Sequence, residues 1–428
     1  MYFSEEEKRV LGGESGPLKQ KTLDFIVKYA NVLGAERLCK VSKAHLFCGA
    51  HHYLEAVRSK DMDEIMSEMW FCSSEKIPFD AVGCFSQSDC SPVDHLNWSK
   101  MGCRGDEFRK NERYLDRCLK AGVHLVGSCV PYMTGFIPLF GEHYVTTESH
   151  AVLMMNSLWG ACANADGIEA AFCSAVCTRT PLWGMHLPES RKGTHLFDVT
   201  CKPETVEEWD LLGYSIGLKL PPHSIPILTG NVERADMLRL KSCFASLATT
   251  SGPELCHIIG ATPEASSLQA CLSPSGLKDQ IEIGPRQLNE AREILCDQEA
   301  GEVDYVSLGC PHYSIDQISA VAGFLNGCKV KAGVTLHVWT ALPIKAVADR
   351  CGYTKTIEDA GGVLMVGSCP LVSEKWPAGT RAMAFDSAKQ AHYIKPLTKT
   401  KVFFGNWEEC LQASISGTWG RWSTWIQL

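Results

Sequence analysis

Three cysteines that each end an apolar run are the residues best placed to do chemistry. Residues 123–129 read VHLVGSC and residues 363–369 read VLMVGSC, so five of the seven positions are identical. A looser copy at residues 303–311 reads VDYVSLGCP. Three thiolates cannot complete a tetrahedral zinc site or ligate all four irons of a cubane cluster, so a site built from them would keep one metal position free for substrate. The cysteines concerned are Cys129, Cys310 and Cys369.

Helix, turn and strand signals surround these cysteines. Residues 118–122 and 357–362 are typical of a helix end followed by glycine, and each precedes an apolar run that predicts a buried strand. Ser314 and Gln317 form a capping box, which predicts a helix after the third copy. Ligands of open α/β sheets collect beyond the carboxyl ends of strands, where the three thiols could meet. Reduced cysteines are also common as small buried residues, so the pattern alone leaves their convergence open.

Composition excludes several classes of protein. The chain has 428 residues, of which 45% are hydrophobic and 21% are charged, and this balance is typical of a folded globular protein. Its 41 basic and 49 acidic residues give a net charge of −8, which argues against a nucleic-acid partner.

Cysteine usage and the first residues indicate a reducing compartment. The chain begins MYFSEEEK, which lacks the basic and then apolar character of a secretory signal, and no apolar stretch suits a membrane span. We therefore expect a cytoplasmic protein with no membrane segment. The 21 cysteines are odd in number and no two stand three positions apart, which disfavours a disulfide scaffold and the paired spacing of zinc ribbons. A structural zinc protein remains the least favoured hypothesis.

Alternating helical and apolar patterns predict an α/β fold with mostly parallel sheets. Ser4 and Glu7 form a capping box, and residues 18–33 have apolar residues at helical spacing, so the chain should open with helices. Prolines concentrate around residues 205–225, which suggests a boundary there. We expect an N-terminal α/β lobe at 1–205 carrying Cys129, and C-terminal α/β structure at 226–428 carrying the other two cysteines.

Ten short segments, in one order along nearly the whole chain, resemble the aconitase X family, the catalytic part of a branch of the aconitase superfamily. The segments are residues 6–16, SKAH at 42–45, CVPY at 129–132, ESHA at 148–151, NS at 156–157, RTP at 179–181, GMHL at 184–187, GATPEA at 260–265, GCPHYS at 309–314 and DSAKQAHY at 386–393. The resemblance implies a multi-lobed aconitase-like architecture with flanking helices.

The same resemblance implies an iron-sulfur dehydratase. The positions that match the family's cluster ligands are Cys129, Cys310 and Cys369. A four-iron cluster is favoured and a two-iron cluster is the alternative. In aconitase-like chemistry a free iron binds the substrate hydroxyl as a Lewis acid while a base removes the proton on the adjacent carbon, so that water is lost.

Three matched residues are candidates for catalysis. Glu148 and Ser149 open a predicted helix, so their side chains could cap it or face the substrate. His312 lies beside Cys310 and could donate a hydrogen bond to the cluster or the substrate, although a histidine near a strand end is more often structural.

Four further residues are candidates for substrate binding. Ser387 and Lys389 fall in a polar motif that could bind a carboxylate, with a surface loop as the alternative. Arg179 offers a fork suited to carboxylate or phosphate, and a structural ion pair is the alternative. His45 could orient a hydroxyl group or be structural.

Departures from the family pattern concern residues that would hold the substrate. Where many relatives read ESNA and GARTN, this chain reads ESHA at 148–151 and GACAN at 160–164, so an anion-binding arginine is replaced by Cys162. Residues 176–179 and 85–94 also match only faintly. We favour a cis-3-hydroxy-L-proline type of substrate, with mevalonate 5-phosphate as the alternative. A non-catalytic iron-sulfur binding or sensing protein is the second hypothesis.

The resemblance also implies a partner. We expect the superfamily's swivelling domain, which covers the cluster, to be absent from this chain and to be supplied in trans by a small subunit. Trp419, Trp422 and Trp425 near the end of the chain could form a partner surface or pack on their own domain.

Overall fold

A computed structural model describes residues 1–47, 83–87, 94, 96–232, 235–297 and 299–420. Its α-helices are α1 (Glu5–Leu11), α2 (Pro17–Leu33), α3 (Gly105–Lys120), α4 (Ser149–Trp159), α5 (Ile168–Cys177), α6 (Val206–Lys219), α7 (Met237–Thr250), α8 (Leu268–Cys271), α9 (Pro285–Leu295), α10 (Ile315–Leu325), α11 (Leu342–Cys351), α12 (Tyr353–Ala360), α13 (Pro370–Ser373), α14 (Ala388–Leu397) and α15 (Trp407–Ser416). Its strands are β1 (Leu38–Lys40), β2 (Lys43–Leu46), β3 (Gly83–Ser86), β4 (Tyr144–Thr146), β5 (Arg179–Pro181), β6 (His195–Val199), β7 (Pro226–Gly230), β8 (His257–Ile258), β9 (Asp279–Ile283), β10 (Gly301–Glu302), β11 (Tyr305–Tyr313), β12 (Thr335–Thr340), β13 (Val363–Val366), β14 (Ala382–Phe385), β15 (Lys401–Phe404) and β16 (Thr418–Trp419).

Three parallel sheets form the framework, as the alternating pattern predicts. Their strand orders are β3-β2-β4, β8-β7-β6-β9 and β13-β12-β11-β14-β15. Two short antiparallel pairs, β1 with β5 and β10 with β16, complete the described sheets. Helices connect the parallel strands, because parallel neighbours need a crossover. Among the described residues, no helix is both long and apolar enough to cross a membrane.

Helix signals in the sequence are confirmed at several ends. Ser4 caps α1 through a reciprocal capping box with Glu7. The same arrangement of Ser314 and Gln317 begins α10. Helix α2 begins at Pro17 and ends at Leu33, and its C-cap Gly34 has a φ of 75°, a left-handed conformation that glycine adopts without strain. The chain therefore opens with two helices, as predicted.

The repeated apolar runs differ in structure. The copy at 363–366 is the buried strand β13, and the third copy begins the long strand β11. The prediction of a buried strand in the first copy is wrong, since only His124 pairs there, in an isolated parallel bridge with Phe85. The amide of Val126 donates to the carbonyl of His124 at 2.9 Å, and this tight turn takes the backbone out of the ladder.

The proline-bearing interval lies between two paired strands. Helix α6 occupies most of residues 205–225, and it connects β6 to β7, which pair in parallel. The division into lobes at 1–205 and 226–428 stays a prediction.

Of the three tryptophans near the end of the chain, Trp419 lies within the described residues. Trp419 is 7% exposed and stacks on Phe403 of β15 with ring centroids 5.5 Å apart, so it packs against the five-stranded sheet of its own chain. Trp422 and Trp425 lie outside the described residues.

Candidate functional site

The three predicted cysteines lie in one region, at or just beyond strand ends. Cys310 is at the carboxyl-terminal part of β11, Cys369 caps α13 three residues after β13, and Cys129 follows the bridge at His124. Burial raises the pKa of Cys129 to about 11, and the nearby Glu148 carboxylate raises it further. Burial raises the pKa of Cys369 to about 12, and Cys129 opposes its ionisation further. The Cys310 thiol lies close enough to both others for their charges to raise its pKa.

Two copies of the VGSC sequence pack against each other at their glycines. A Cβ atom on Gly127 would lie 2.8 Å from the Cα of Gly367, and Gly127 has a φ of 56°. Only glycine allows both this approach and this conformation. The two loops that carry Cys129 and Cys369 are therefore held together by backbone contact.

His312 connects all three cysteine-bearing segments. Its Nδ1 lies 3.2 Å from the Ser128 hydroxyl, and its Nε2 lies 2.9 Å from the Ser368 carbonyl oxygen. Its amide donates to the Cys129 sulfur at 3.4 Å. Burial lowers the pKa of His312 to about 4, so the ring is neutral and both ring nitrogens are engaged in positioning the loops.

A buried ion pair lies beside the thiols. Lys389 Nζ lies 2.9 Å from Glu148 Oε1, and these side chains are 13% and 9% exposed. Glu148 also accepts from the Gln87 side chain and, at 3.4 Å, from the amide of His150. Burial opposes ionisation of Glu148, but the Lys389 ammonium outweighs burial and lowers the pKa of the carboxyl. The charges of both residues act on Cys129, so the pair borders the thiol site.

The ends of α4 and α14 place the remaining polar candidates. Ser387 caps α14 by accepting from the amide of Gln390, and it hydrogen-bonds to the Cys310 thiol. Glu148 is the N-cap of α4, so the partly exposed Ser149 is the first helical residue. Glu148 therefore caps the helix and also lies near the Cys129 thiol, while its contact with substrate stays a prediction.

Three family models match this chain in order. The aconitase X first domain matches residues 1–189, the second domain matches 193–293, and the third matches 303–416. The chain belongs to the aconitase X family.

Relatives and a solved structure agree with this assignment. The phosphomevalonate dehydratase large subunit of Methanocaldococcus jannaschii is 31% identical over 421 residues, which cover 96% of this chain and 100% of that protein. The cis-3-hydroxy-L-proline dehydratase of Pseudomonas aeruginosa is 27% identical over 419 residues, which cover 96% of this chain and 69% of that protein. The crystal structure of holo aconitase X from Thermococcus kodakaraensis matches with a TM-score of 0.82 at 26% identity, covering 97% of this chain and all of that one. The predicted family and aconitase-like α/β fold are confirmed.

Two of the predicted substrate-binding residues are held by the protein itself. Arg179 donates to Glu7 and Glu6, each at 2.8 Å, with its side chain only 8% exposed, so the structural ion pair is what forms. His45 is fully buried, with Nδ1 3.0 Å from the Thr146 hydroxyl and Nε2 2.9 Å from the Ser128 carbonyl oxygen. His45 thus supports the loop that leads to Cys129, while Arg179 anchors α1.

Lys241, which the sequence analysis missed, is the other ammonium near the thiols of this aconitase X chain. It is 1% exposed on α7, and its Nζ donates to the His312 carbonyl at 2.9 Å and to Gln317 at 2.7 Å. Burial lowers its pKa to about 8, while Cys129 and Asp386 oppose the shift. A lysine within the apolar LRLKSCF stretch was the available signal, because a charge there must find buried partners.

Gln87 was the second residue missed. It follows β3 directly, at the same sheet edge that β2 and β4 reach, and it is 6% exposed. Residues 88–93 of the faintly matching stretch lie outside the described residues.

The thiol set fits an iron-sulfur cluster of the kind that aconitase X implies. Two thiolates on one zinc ion would lie about 3.8 Å apart, given Zn–S bonds of about 2.3 Å. Among the described residues, the group whose metal-binding atoms all lie within 4.8 Å of one another lies elsewhere, so at least two of these three sulfur atoms are more than 4.8 Å apart. Amides of His312, Leu371 and Val372 also donate to Cys129 or Cys369, which stabilises anionic sulfur. A pair of sulfur atoms too far apart for one zinc ion, together with N–H···S bonds to the thiols, suits a centre with more than one metal ion.

Proposed function

We propose that this chain is the large subunit of an aconitase-like hydro-lyase that removes water from a small hydroxy acid. The observation that carries the proposal is the meeting of three thiols, from Cys129, Cys310 and Cys369, beside the buried Glu148–Lys389 ion pair. These thiols would hold an iron-sulfur cluster, with the four-iron form favoured. Such a cluster supplies a Lewis acid that assists the departure of a hydroxyl group.

The side chains of Lys389 and Glu148 set the charge next to the thiols. Lys389 keeps Glu148 ionised, so the carboxylate can accept a proton or a hydrogen bond from substrate but has no proton to give. Glu148 lies near Cys129, where substrate would be bound. Ser149 is partly exposed at the start of α4 and is a second candidate for contact with substrate.

His312 acts as a positioning residue in this proposal. Both of its ring nitrogens have partners on the loops that carry Cys129 and Cys369, so neither is free to exchange a proton with substrate. Ser387 is also a positioning residue, because it caps α14 and contacts the Cys310 thiol.

The assembly proposed is a two-chain enzyme. This chain spans the full length of the M. jannaschii large subunit but 69% of the P. aeruginosa dehydratase, and the difference leaves room for a further domain. A small subunit would supply that domain in trans and close the site over the substrate.

We assign the substrate only by class, as a small hydroxy acid. The two candidates from the sequence differ in charge, because mevalonate 5-phosphate carries a phosphate group that cis-3-hydroxy-L-proline lacks. Near the thiols, the described ammonium groups are those of Lys389 and Lys241, and both already have protein partners. This arrangement suits a single carboxylate better than an added phosphate, which keeps cis-3-hydroxy-L-proline first. The names and lengths of the large-subunit relatives keep mevalonate 5-phosphate as the second candidate.

Anaerobic purification with counts of iron and sulfide tests the cluster. We expect iron and sulfide in the wild-type chain, near-complete loss in Cys129→Ser, Cys310→Ser and Cys369→Ser, and retention in Cys328→Ser. Cys328 is a matched control because it is partly exposed and, among the described residues, its thiol donates to the Phe324 carbonyl alone. Full iron content in the three single variants would contradict the assignment of the ligands.

Turnover tests the reaction. The cluster-loaded chain should dehydrate one of the two substrates only when combined with its small subunit, and the Glu148→Gln variant should lose at least about 100-fold in kcat with its iron retained. Iron-loaded protein that turns over neither substrate with its partner would favour the non-catalytic iron-sulfur hypothesis.

A further inference from the structure

A second cluster of metal-binding side chains lies on the first domain. Cys39, His143 and His186 each offer a ligand atom, and these atoms all lie within 4.8 Å of one another. The group shares no residue with the thiol site described above. It is independent of the proposed dehydration.

The two histidines approach each other in the manner of a chelating pair. Their Nδ1 atoms lie 3.0 Å apart. Two nitrogens bound to one zinc ion at about 2.0–2.1 Å would lie about 3.3 Å apart. Nε2 of His186 is buried and has no hydrogen-bond partner among the described residues. Without a cation one Nδ1 has to donate its proton to the other, whereas a cation between them would use both Nδ1 lone pairs and leave Nε2 as the protonated nitrogen of His186.

Separate backbone elements hold these three side chains in place. Cys39 lies in β1 opposite Thr180 of β5, whose carbonyl its thiol contacts weakly at 3.7 Å. His143 directly precedes β4 and pairs in a parallel bridge with Cys162. His186 ends a single 3₁₀ turn that includes residues 184–186.

The side chain of Asn164 fixes the turn that carries His186. Its Oδ1 accepts from the amide of Met185 at 2.8 Å, and its Nδ2 donates to the carbonyl of Trp183 at 3.1 Å. The histidine is therefore presented from a braced loop, as a preformed metal site requires.

Two further potential donors lie near this cluster. The Cys162 thiol and the Asp166 carboxyl both lie close enough to act electrostatically on Cys39, and burial raises the pKa of Asp166 to about 8. Oδ2 of Asp166 is buried with no partner among the described residues. The cation of Arg191 lies near the histidines, but its guanidinium is paired with Glu264, and this pairing reduces its repulsion of a metal ion.

We propose that Cys39, His143 and His186 bind a zinc ion that ties β1 to the start of β4 and to the 3₁₀ turn at 184–186. One thiolate and two imidazoles are borderline-soft donors, which zinc accepts and magnesium and calcium disfavour. Zinc displaces the thiol proton on binding, so occupancy should fall as the pH is lowered. The tetrahedron keeps a fourth position for solvent or for a further donor such as Cys162.

Cobalt substitution tests the site directly in the wild-type chain. The chelator-washed protein should bind Co²⁺ with tetrahedral d–d bands and a thiolate-to-metal charge-transfer band, and Zn²⁺ should displace both. The charge-transfer band should disappear in Cys39→Ser, and Co²⁺ affinity should fall at least about tenfold in His186→Gln. Absence of a tetrahedral cobalt spectrum in the wild-type chain would overturn the proposal without any variant having to fold.

Matched variants assign the metal to this site. Zinc per chain should be close to wild type in Cys328→Ser and in His257→Gln, since His257 is also a buried histidine with an unpartnered ring nitrogen among the described residues. Zinc should also persist in Cys310→Ser, which removes a thiol of the other site. Zinc that is lost in Cys310→Ser but retained in Cys39→Ser would refute the assignment, and loss of iron alone would bear only on the dehydratase proposal.

Discussion

Replacement of Lys389 by methionine should destabilise this chain strongly, and the loss should depend on pH. At the observed separation of 2.9 Å the Lys389–Glu148 pair has a Coulomb attraction of about 6 kcal/mol at an effective dielectric constant of about 20. Desolvation offsets part of this attraction. Removal of one partner from a buried pair nevertheless costs about 3–5 kcal/mol, because the other charge is left buried without its counterion.

The direction of the pH effect follows from the carboxylate. In the wild-type chain the pKa of Glu148 is lowered, so the pair stabilises the fold above the unfolded pKa of about 4.3, and this contribution is lost as the pH falls through the lowered value. Without the ammonium, burial favours the protonated carboxyl. The difference in the free energy of unfolding between wild type and Lys389→Met should therefore be largest near neutral pH, shrink as the pH falls toward 4, and be smallest below the lowered pKa of Glu148 in wild type.

Denaturant unfolding at pH 7 and pH 4, with the same cofactor content in each sample, measures both effects. Lys355→Met is the surface control, because Lys355 and Asp359 form an ion pair at 2.8 Å with side chains 78% and 62% exposed, and its loss should cost only about 0.3–0.5 kcal/mol. The double variant Lys389→Met/Glu148→Gln should recover part of the stability. If Lys389→Met costs no more than Lys355→Met, or costs the same at both pH values, the reasoning about this pair is refuted.

Three further substitutions probe the positioning of the site. Gly127→Ala should lower the iron content severalfold, because the added Cβ forces the two VGSC loops apart. Gly135→Ala is the control and should retain the iron, because Gly135 also has a positive φ but nothing lies within 4 Å of the added Cβ. Equal iron contents in the two variants would contradict the contact between the loops. His312→Phe should cost about 1–3 kcal/mol in thermal or denaturant unfolding and lower the iron content, while unchanged iron would contradict its positioning part. Arg179→Met should lower stability by about 3–5 kcal/mol with KM unchanged, and a raised KM would restore Arg179 as a substrate-binding residue.

Periodicity and repetition were sufficient to predict the α/β fold. Apolar runs such as 363–366 become buried parallel strands because both faces of such strands are covered. Capping boxes at Ser4 and Ser314 begin helices because they satisfy amides that any helix leaves unpaired. These signals depend on residues close in sequence, and the structure contains the strand and the two helix starts that they predict.

The sequence was less informative where one residue depends on distant ones. The run at 123–126 has strand character, yet its backbone turns away after His124, and nothing in the local pattern announces this. Arg179 was equally suited to a substrate and to an ion pair, and Glu6 and Glu7, more than 170 positions away, decide between the two. Cys39, His143 and His186 come from three separate segments without metal-binding spacing, so only the fold brings them together.

The repeated VGSC sequence explains how backbone contact positions two of the three cysteines of the candidate cluster site. Because Gly127 and Gly367 lack side chains, the loops bearing Cys129 and Cys369 approach within backbone contact, and the imidazole of His312 then joins the residues that precede the two cysteines. His312 is itself two positions from Cys310, so one ring relates all three sulfur atoms. The spacing of the thiols is consequently set by backbone packing, and the ion pair of Glu148 and Lys389 lies beside them.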